Sequence, residues 1–194
     1  MEHFRIPDGH RARRPAMVVR LARAALRRAR WRIEGDLPAA AKLILGVGPH
    51  TSNWDFIVGV VAMLALDMHI HWLGKHSLFR WPIAGLLRRL GGMAVDRRNA
   101  VGIAEAIGRQ LRWADEMIIA ITPEGTRSRV DRLKTGFLRI ARAGECPVVP
   151  VTFDFARREI RLHPPFWPGP DPEADAAAIR AIFATATPRH PAKF

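Results

Sequence analysis

Two short segments hold the residue types that could do chemistry. In Gly48-Pro49-His50-Thr51-Ser52-Asn53-Trp54-Asp55 an imidazole and a carboxylate stand five positions apart. In Pro123-Glu124-Gly125-Thr126-Arg127-Ser128 a carboxylate, a glycine, a hydroxyl and a guanidinium follow one another. Near neutral pH an unprotonated imidazole takes a proton from a hydroxyl, and a carboxylate on its second nitrogen fixes tautomer and orientation. Gly125 allows a tight turn whose N–H groups, with the Thr126 hydroxyl, donate to an anion, while the planar Arg127 fork matches a phosphate. Glu124 is placed either to bind a hydroxyl or to hold Arg127. A base with an orienting acid, beside an anion-binding turn, suits the acylation of an alcohol on a phosphorylated substrate.

The His-x4-Asp spacing carries little by itself. Eight His and ten Asp among 194 residues give about 0.4 such pairs by chance, and His3 with Asp8 repeats the spacing in the N-terminal tail. What sets His50 apart is its setting: an apolar run before it, and Thr51, Ser52 or Asn53 to cap a helix after it. Within one ideal helix five residues would turn the two side chains about 140° apart, so the pair works only with His50 in a loop ahead of the helix. A third segment, Gly91 to Arg98, follows a glycine pair with a short apolar run and offers Arg97 as a second phosphate cation. A Walker loop and a dinucleotide fingerprint are both absent, which argues against a nucleotide enzyme. Asp67, His69, His71 and His76 lack the acidic or Cys company of a metal site and read as surface or packing residues, so no metal is expected. The single cysteine, Cys146, excludes an internal disulfide and reads as a buried thiol ahead of Pro147.

Positioning these groups falls to an alternation of short apolar runs with amphipathic ones. Strands are expected at Leu43–Val47, Ile70–Leu73, Met93–Val95, Met117–Ile121 and Val148–Phe155, with Glu159–Leu162 as a hairpin partner. Helices are expected at Asn53–Leu66, Leu78–Leu90, Asn99–Trp113, Leu133–Ala143 and Asp171–Ala184. The order implies an α/β fold: a mainly parallel central sheet flanked by helices, with antiparallel additions near the C-terminus. His50, Arg97 and the 124–127 turn each follow a strand, so parallel strands would bring all three to one sheet edge.

The net charge of +13 is uneven: residues 1–32 hold ten Arg against Glu2 and Asp8. Over residues 15–32, Arg20, Arg23, Arg27 and Arg30 fall on one helical stripe opposite Val18, Leu21, Ala22 and Leu26. Such a helix, ending in Trp31, suits either a membrane surface with anionic lipids or the domain's own core. Residues 1–36 are therefore expected as a basic amphipathic segment ahead of a 37–194 domain. The longest apolar stretch, Phe56 to Leu66, is too short to cross a bilayer, which needs about 20 residues. A peripheral protein on the cytoplasmic face of the inner or plasma membrane is expected.

Taken in order, the segments resemble the glycerolipid acyltransferase family, the group that contains 1-acylglycerol-3-phosphate acyltransferases. His50 to Asp55 matches its His-x4-Asp block, Gly91 to Arg97 looks like its second block, Pro123 to Ser128 matches its most distinctive block, and Val148-Val149-Pro150-Val151 looks like its fourth. Pro49 stands where the family often has Asn, and Thr122 where it often has Phe. The resemblance implies transfer of a fatty acyl group from acyl-CoA or acyl carrier protein to a lysophospholipid hydroxyl, 1-acylglycerol-3-phosphate first. In that reading His50 is the general base and Asp55 orients it. Glu124, Gly125, Thr126 and Arg127, with Arg97, hold the acceptor's head, and no cofactor beyond the acyl co-substrate is implied. A lyso-aminolipid or other lyso-lipid is the alternative acceptor. A basic nucleic-acid-binding domain would explain the charge but neither motif, so no nucleic acid partner is expected.

Overall fold

The computed structural model of the protein describes residues 6–95 and 100–194. Seven strands, β1 (Arg32–Glu34), β2 (Lys42–Gly48), β3 (Ile70–Lys75), β4 (Gly92–Val95), β5 (Met117–Ile121), β6 (Val148–Asp154) and β7 (Glu159–Leu162), form one sheet. Its order is β1-β7-β6-β2-β5-β3-β4, with every neighbouring pair parallel except the β6–β7 hairpin. The expected α/β architecture with a late antiparallel addition is the one observed.

The central strands β2, β5 and β6 are apolar in continuous runs because helices cover both faces. Alternation along β2 splits the core in two. Leu43 and Leu45 face α1 (Ala16–Arg28) and α2 (Asn53–Ala65), with Ile118, Val149, Val151 and Phe153. Ile44 faces α4 (Ala100–Trp113), α5 (Gly136–Ala143) and α6 (Pro172–Phe183), with Ile119, Val148, Leu138, Ile179 and Phe183.

Three expectations change. The helix expected over 78–90 is only α3 (Ala84–Arg89), preceded by a separate single turn at His76–Leu78. Pro82 has no N–H to donate and disfavours helical backbone at Trp81, so the helix begins after it. The helix expected from Leu133 starts at Gly136, because Lys134 N donates to Pro123 O and keeps the chain in the turn. β1 was not expected at all, and it takes the basic segment into the fold. Ile6, Ala22, Leu26, Trp31 and Ile33 are buried in the α2-side core, and the Arg32 guanidinium lies 3.0 Å from Glu159 at the sheet edge. α1 thus packs on α2, with Arg23 Nε donating to Ala65 O, while Met17, Val18 and Leu21 stay exposed. Among the described residues no helix is long and apolar enough to cross a membrane.

Candidate active site

The spacing of His50 and Asp55 follows from how α2 begins. Ser52 is the N-cap in extended backbone, and Asp55 is the third helical residue, the acidic half of a capping box. Its carboxylate turns back over the cap: Oδ2 accepts from Thr51 N at 2.8 Å and Ser52 N at 2.7 Å, and Oδ1 accepts from Ser52 Oγ at 3.0 Å. His50 lies two residues before the cap, which brings its Nδ1 to 3.1 Å from Asp55 Oδ2. That contact is not aligned as a hydrogen bond, and Nδ1 has no other partner among the described residues. Catalytic pairs are commonly loose until substrate closes the site. With Nδ1 turned to Asp55, Nε2 is the nitrogen left for the cavity that His50 lines.

β2 and β5 are parallel neighbours, so the segments that leave their C-terminal ends meet although 74 residues separate them. Glu124 Oε1 accepts from His50 N at 2.8 Å. Of the two roles expected for Glu124, neither describes this geometry. It is 1% exposed, does not line the cavity, and holds the main chain of His50 instead. Burial pushes its carboxyl up from the usual range, against the lowering pull of the His50 N–H. Gly125 takes φ +67°, a left-handed conformation that favours glycine, with the Lys134 side chain where a Cβ would point. Thr126 and Arg127 are exposed at the cavity rim, and Arg127 Nη1 donates to Asn53 Oδ1 at the start of α2. The turn therefore stands beside His50, as the topology implied. Arg97 lies outside the described residues.

A cavity of about 640 Å³ begins at these groups. Its rim includes His50, Asn53, Thr122 and Arg127, and its interior runs between α2 and the sheet past Val47, Val60, Met63 and Leu66 to Ile33 and Leu162. A second flank is formed by Trp72, Leu78, Ile83 and Leu87. Native cores are close-packed, and an apolar space of this size matches the dimensions of ligand pockets rather than a packing defect. Behind the loop, residues 184–194 act as a strap. His190 N donates to Thr51 Oγ1 at 3.2 Å, Phe155 N donates to Thr187 O at 2.8 Å, and Arg189 lies over the Trp54 and Phe155 rings. Phe183 packs where a Gly48 Cβ would stand.

The sequence reading missed Asn53 as the Arg127 partner, the strap, and the true position of Glu124. The Ser52-x-x-Asp55 capping box was a local signal that could have placed Asp55 over the cap. Among the described residues no group of His, Cys, Asp or Glu could hold a metal ion.

A family model described as Acyltransferase matches residues 30–154 of the 194, more than half of the chain and both motifs. The chain belongs to the acyltransferase family. It is 31% identical over 121 residues to the 1-acyl-sn-glycerol-3-phosphate acyltransferase of Bacillus subtilis (strain 168), across 61% of this chain. The chain spans only 58% of that relative's length. In fold it is similar to the 1-acyl-sn-glycerophosphate (LPA) acyltransferase PlsC from Thermotoga maritima, with a TM-score of 0.63 and 19% identity over 88% of this chain and 76% of that one. The stretch matched by the acyltransferase model runs to the last residue of β6. α1, β7, α6 and the strap lie outside it.

Proposed function

We propose that this protein is an O-acyltransferase that moves a fatty acyl group from an acyl-CoA or acyl-carrier-protein thioester to a lysophospholipid hydroxyl, with 1-acylglycerol-3-phosphate as the acceptor. The observation that carries this reading is the junction of His50, held against Asp55 at the start of α2, with a deep apolar cavity rimmed by Arg127. An imidazole at the mouth of a chain-sized apolar space is where a head-group hydroxyl and an acyl carbonyl would meet. The names of the two relatives agree with this acceptor class.

In this mechanism His50 Nε2 takes the acceptor hydroxyl proton, and the oxygen attacks the thioester carbonyl carbon. The tetrahedral intermediate collapses with cleavage of the C–S bond, and the thiolate leaves with the proton from the imidazolium. Asp55 stabilises that imidazolium. Arg127, with Gly125 and Thr126, holds the phosphate. Glu124 acts through the His50 main chain and is a positioning residue. Because acceptor and product are lipids, the reading makes this a peripheral protein at a membrane surface.

The test is mass spectrometry of lipids after incubating the full chain with acyl-CoA and a panel of lyso-acceptors that includes a lyso-aminolipid. Phosphatidic acid should form with the parent protein and disappear with His50→Ala. Retained turnover in that variant removes the base assignment, and product from the lyso-aminolipid alone replaces the acceptor.

A further inference from the structure

The segment after β3 joins bare apolar side chains to unopposed cations beside the cavity. Trp81 is 92% exposed and Leu86 58%, and no residue of α3 is buried. Between Met68 and Val95 there is no Asp or Glu, whereas Lys75, Arg80, Arg88 and Arg89 are all exposed. Apolar side chains bare to solvent beside unopposed cations suit an anionic lipid surface, where Trp sits at the headgroup boundary and Lys or Arg meets the phosphates. The segment also has two sides. Leu78, Ile83 and Leu87 line the cavity, while Trp81 and Leu86 do not. It is joined to α2 through rings, Phe56 to Trp72 at 4.7 Å and Trp72 to Phe79 at 5.7 Å, and α2 exposes Trp54 and Ile57 at that end.

We propose that residues 75–90, together with the first turns of α2, form the surface that docks on an anionic bilayer, so that the cavity opens directly onto lipid. This deepens the acyl-transfer reading and rests on it for what enters the cavity. It puts the membrane contact at the cavity rather than on α1, which buries Ala22 and Leu26, gives Arg23 to Ala65 O, lines no part of the cavity, and leaves Met17, Val18 and Leu21 exposed. A lipid chain could then slide between leaflet and cavity without crossing water.

The test uses the full chain labelled with an environment-sensitive fluorophore at single introduced thiols. Cys146 is buried and its thiol is pushed up to about 12, so it stays unlabelled. Gly85→Cys places the probe in α3, where a Cβ meets nothing. Ala24→Cys places it on exposed α1, and Ala177→Cys on exposed α6 over the opposite sheet face. With vesicles of equimolar phosphatidylethanolamine and phosphatidylglycerol, emission should shift to the blue at position 85 and stay fixed at 177. Trp81→Ala with Leu86→Ala should lower vesicle partitioning about ten-fold or more, since two large apolar side chains no longer leave water. A shift at 24 without one at 85, a shift at 177, or no binding to vesicles overturns the proposal. So does a shift at 85 that appears with protein concentration alone, which would mark a second copy as the occupant. The binding readout needs no turnover. Absence of acyl transfer with an intact shift at 85 therefore fails the enzyme reading alone, and turnover of a water-soluble short-chain acceptor without vesicle binding fails the docking surface alone.

Discussion

In the proposed mechanism Asp55 has two tasks, holding the helix start and orienting His50, which Asp55→Asn separates. Oδ2 holds two main-chain N–H groups, Thr51 and Ser52, and stands 3.1 Å from His50 Nδ1. An amide oxygen in the same place keeps both N–H bonds but makes them neutral. A hydrogen bond to a charged group contributes about 1.5–3 kcal/mol against about 0.5–1.5 for a neutral one, so the two together lose about 2 kcal/mol. In a chain of this size that lowers Tm by roughly 4–8 °C. Turnover should fall much further, by about 10³–10⁴, as when a carboxylate orienting a catalytic imidazole becomes an amide. Ser52→Ala is the control. It removes the oxygen that accepts from Trp54 N and donates to Asp55 Oδ1, and should cost about 1 kcal/mol of capping while turnover stays within ten-fold. Thermal melts and steady-state rates with acyl-CoA and a lysophosphatidate, taken well below the melting range, measure both effects. Turnover of Asp55→Asn within ten-fold of the parent refutes the orienting role. Equal loss in Ser52→Ala shows that the helix start, not the charge, is what matters.

Arg127→Ala should raise the acceptor KM about ten- to hundred-fold, the worth of a charge-assisted pair, with kcat little changed; an unaltered KM removes the phosphate role. Glu124 has its carboxyl raised by burial, so between about pH 4.5 and its folded value the native state binds more protons than the unfolded one, and stability falls as pH rises through that window. Glu124→Gln keeps an acceptor for His50 N and removes this slope. Its urea midpoint should gain on the parent as pH rises through the window, and a gap independent of pH contradicts the argument. Gly48→Ala sets a Cβ 2.4 Å from the Phe183 ring and should cost about 1–3 kcal/mol by overpacking, visible as a lower urea midpoint.

What could be read before the structure was what local chemistry specifies. β5 and β7 fall on their expected residues, and Asp171 caps α6 by accepting from Glu173 N and Ala174 N, as an acidic helix start implies. The meeting of the His50 loop with the 124–127 turn was also legible, because two parallel strands leave no other sheet edge for them. β1 was not legible: three residues with one buried side chain carry no periodicity, and its partner β7 lies 127 positions away. Glu124 was misplaced for the opposite reason. Its neighbours look like a solvated turn, and only the register of β2 on β5 shows that its side chain points inward to His50 N. Length misled at α3, where Pro82 was tolerated in the apolar pattern but not in the helix.

The strap has a consequence for how the protein comes to be active. Thr51 is secured by a residue 139 positions later, and Glu124 reaches His50 N across 74. Contacts of such separation form slowly, because loop closure must precede any gain from them. A chain with its central strands already paired would hold His50 through Glu124 and the cap through Asp55, yet Thr51 Oγ1 would lack its donor until residues 184–190 had docked. Weakening the strap should cost activity before it costs secondary structure, since small local openings precede global unfolding.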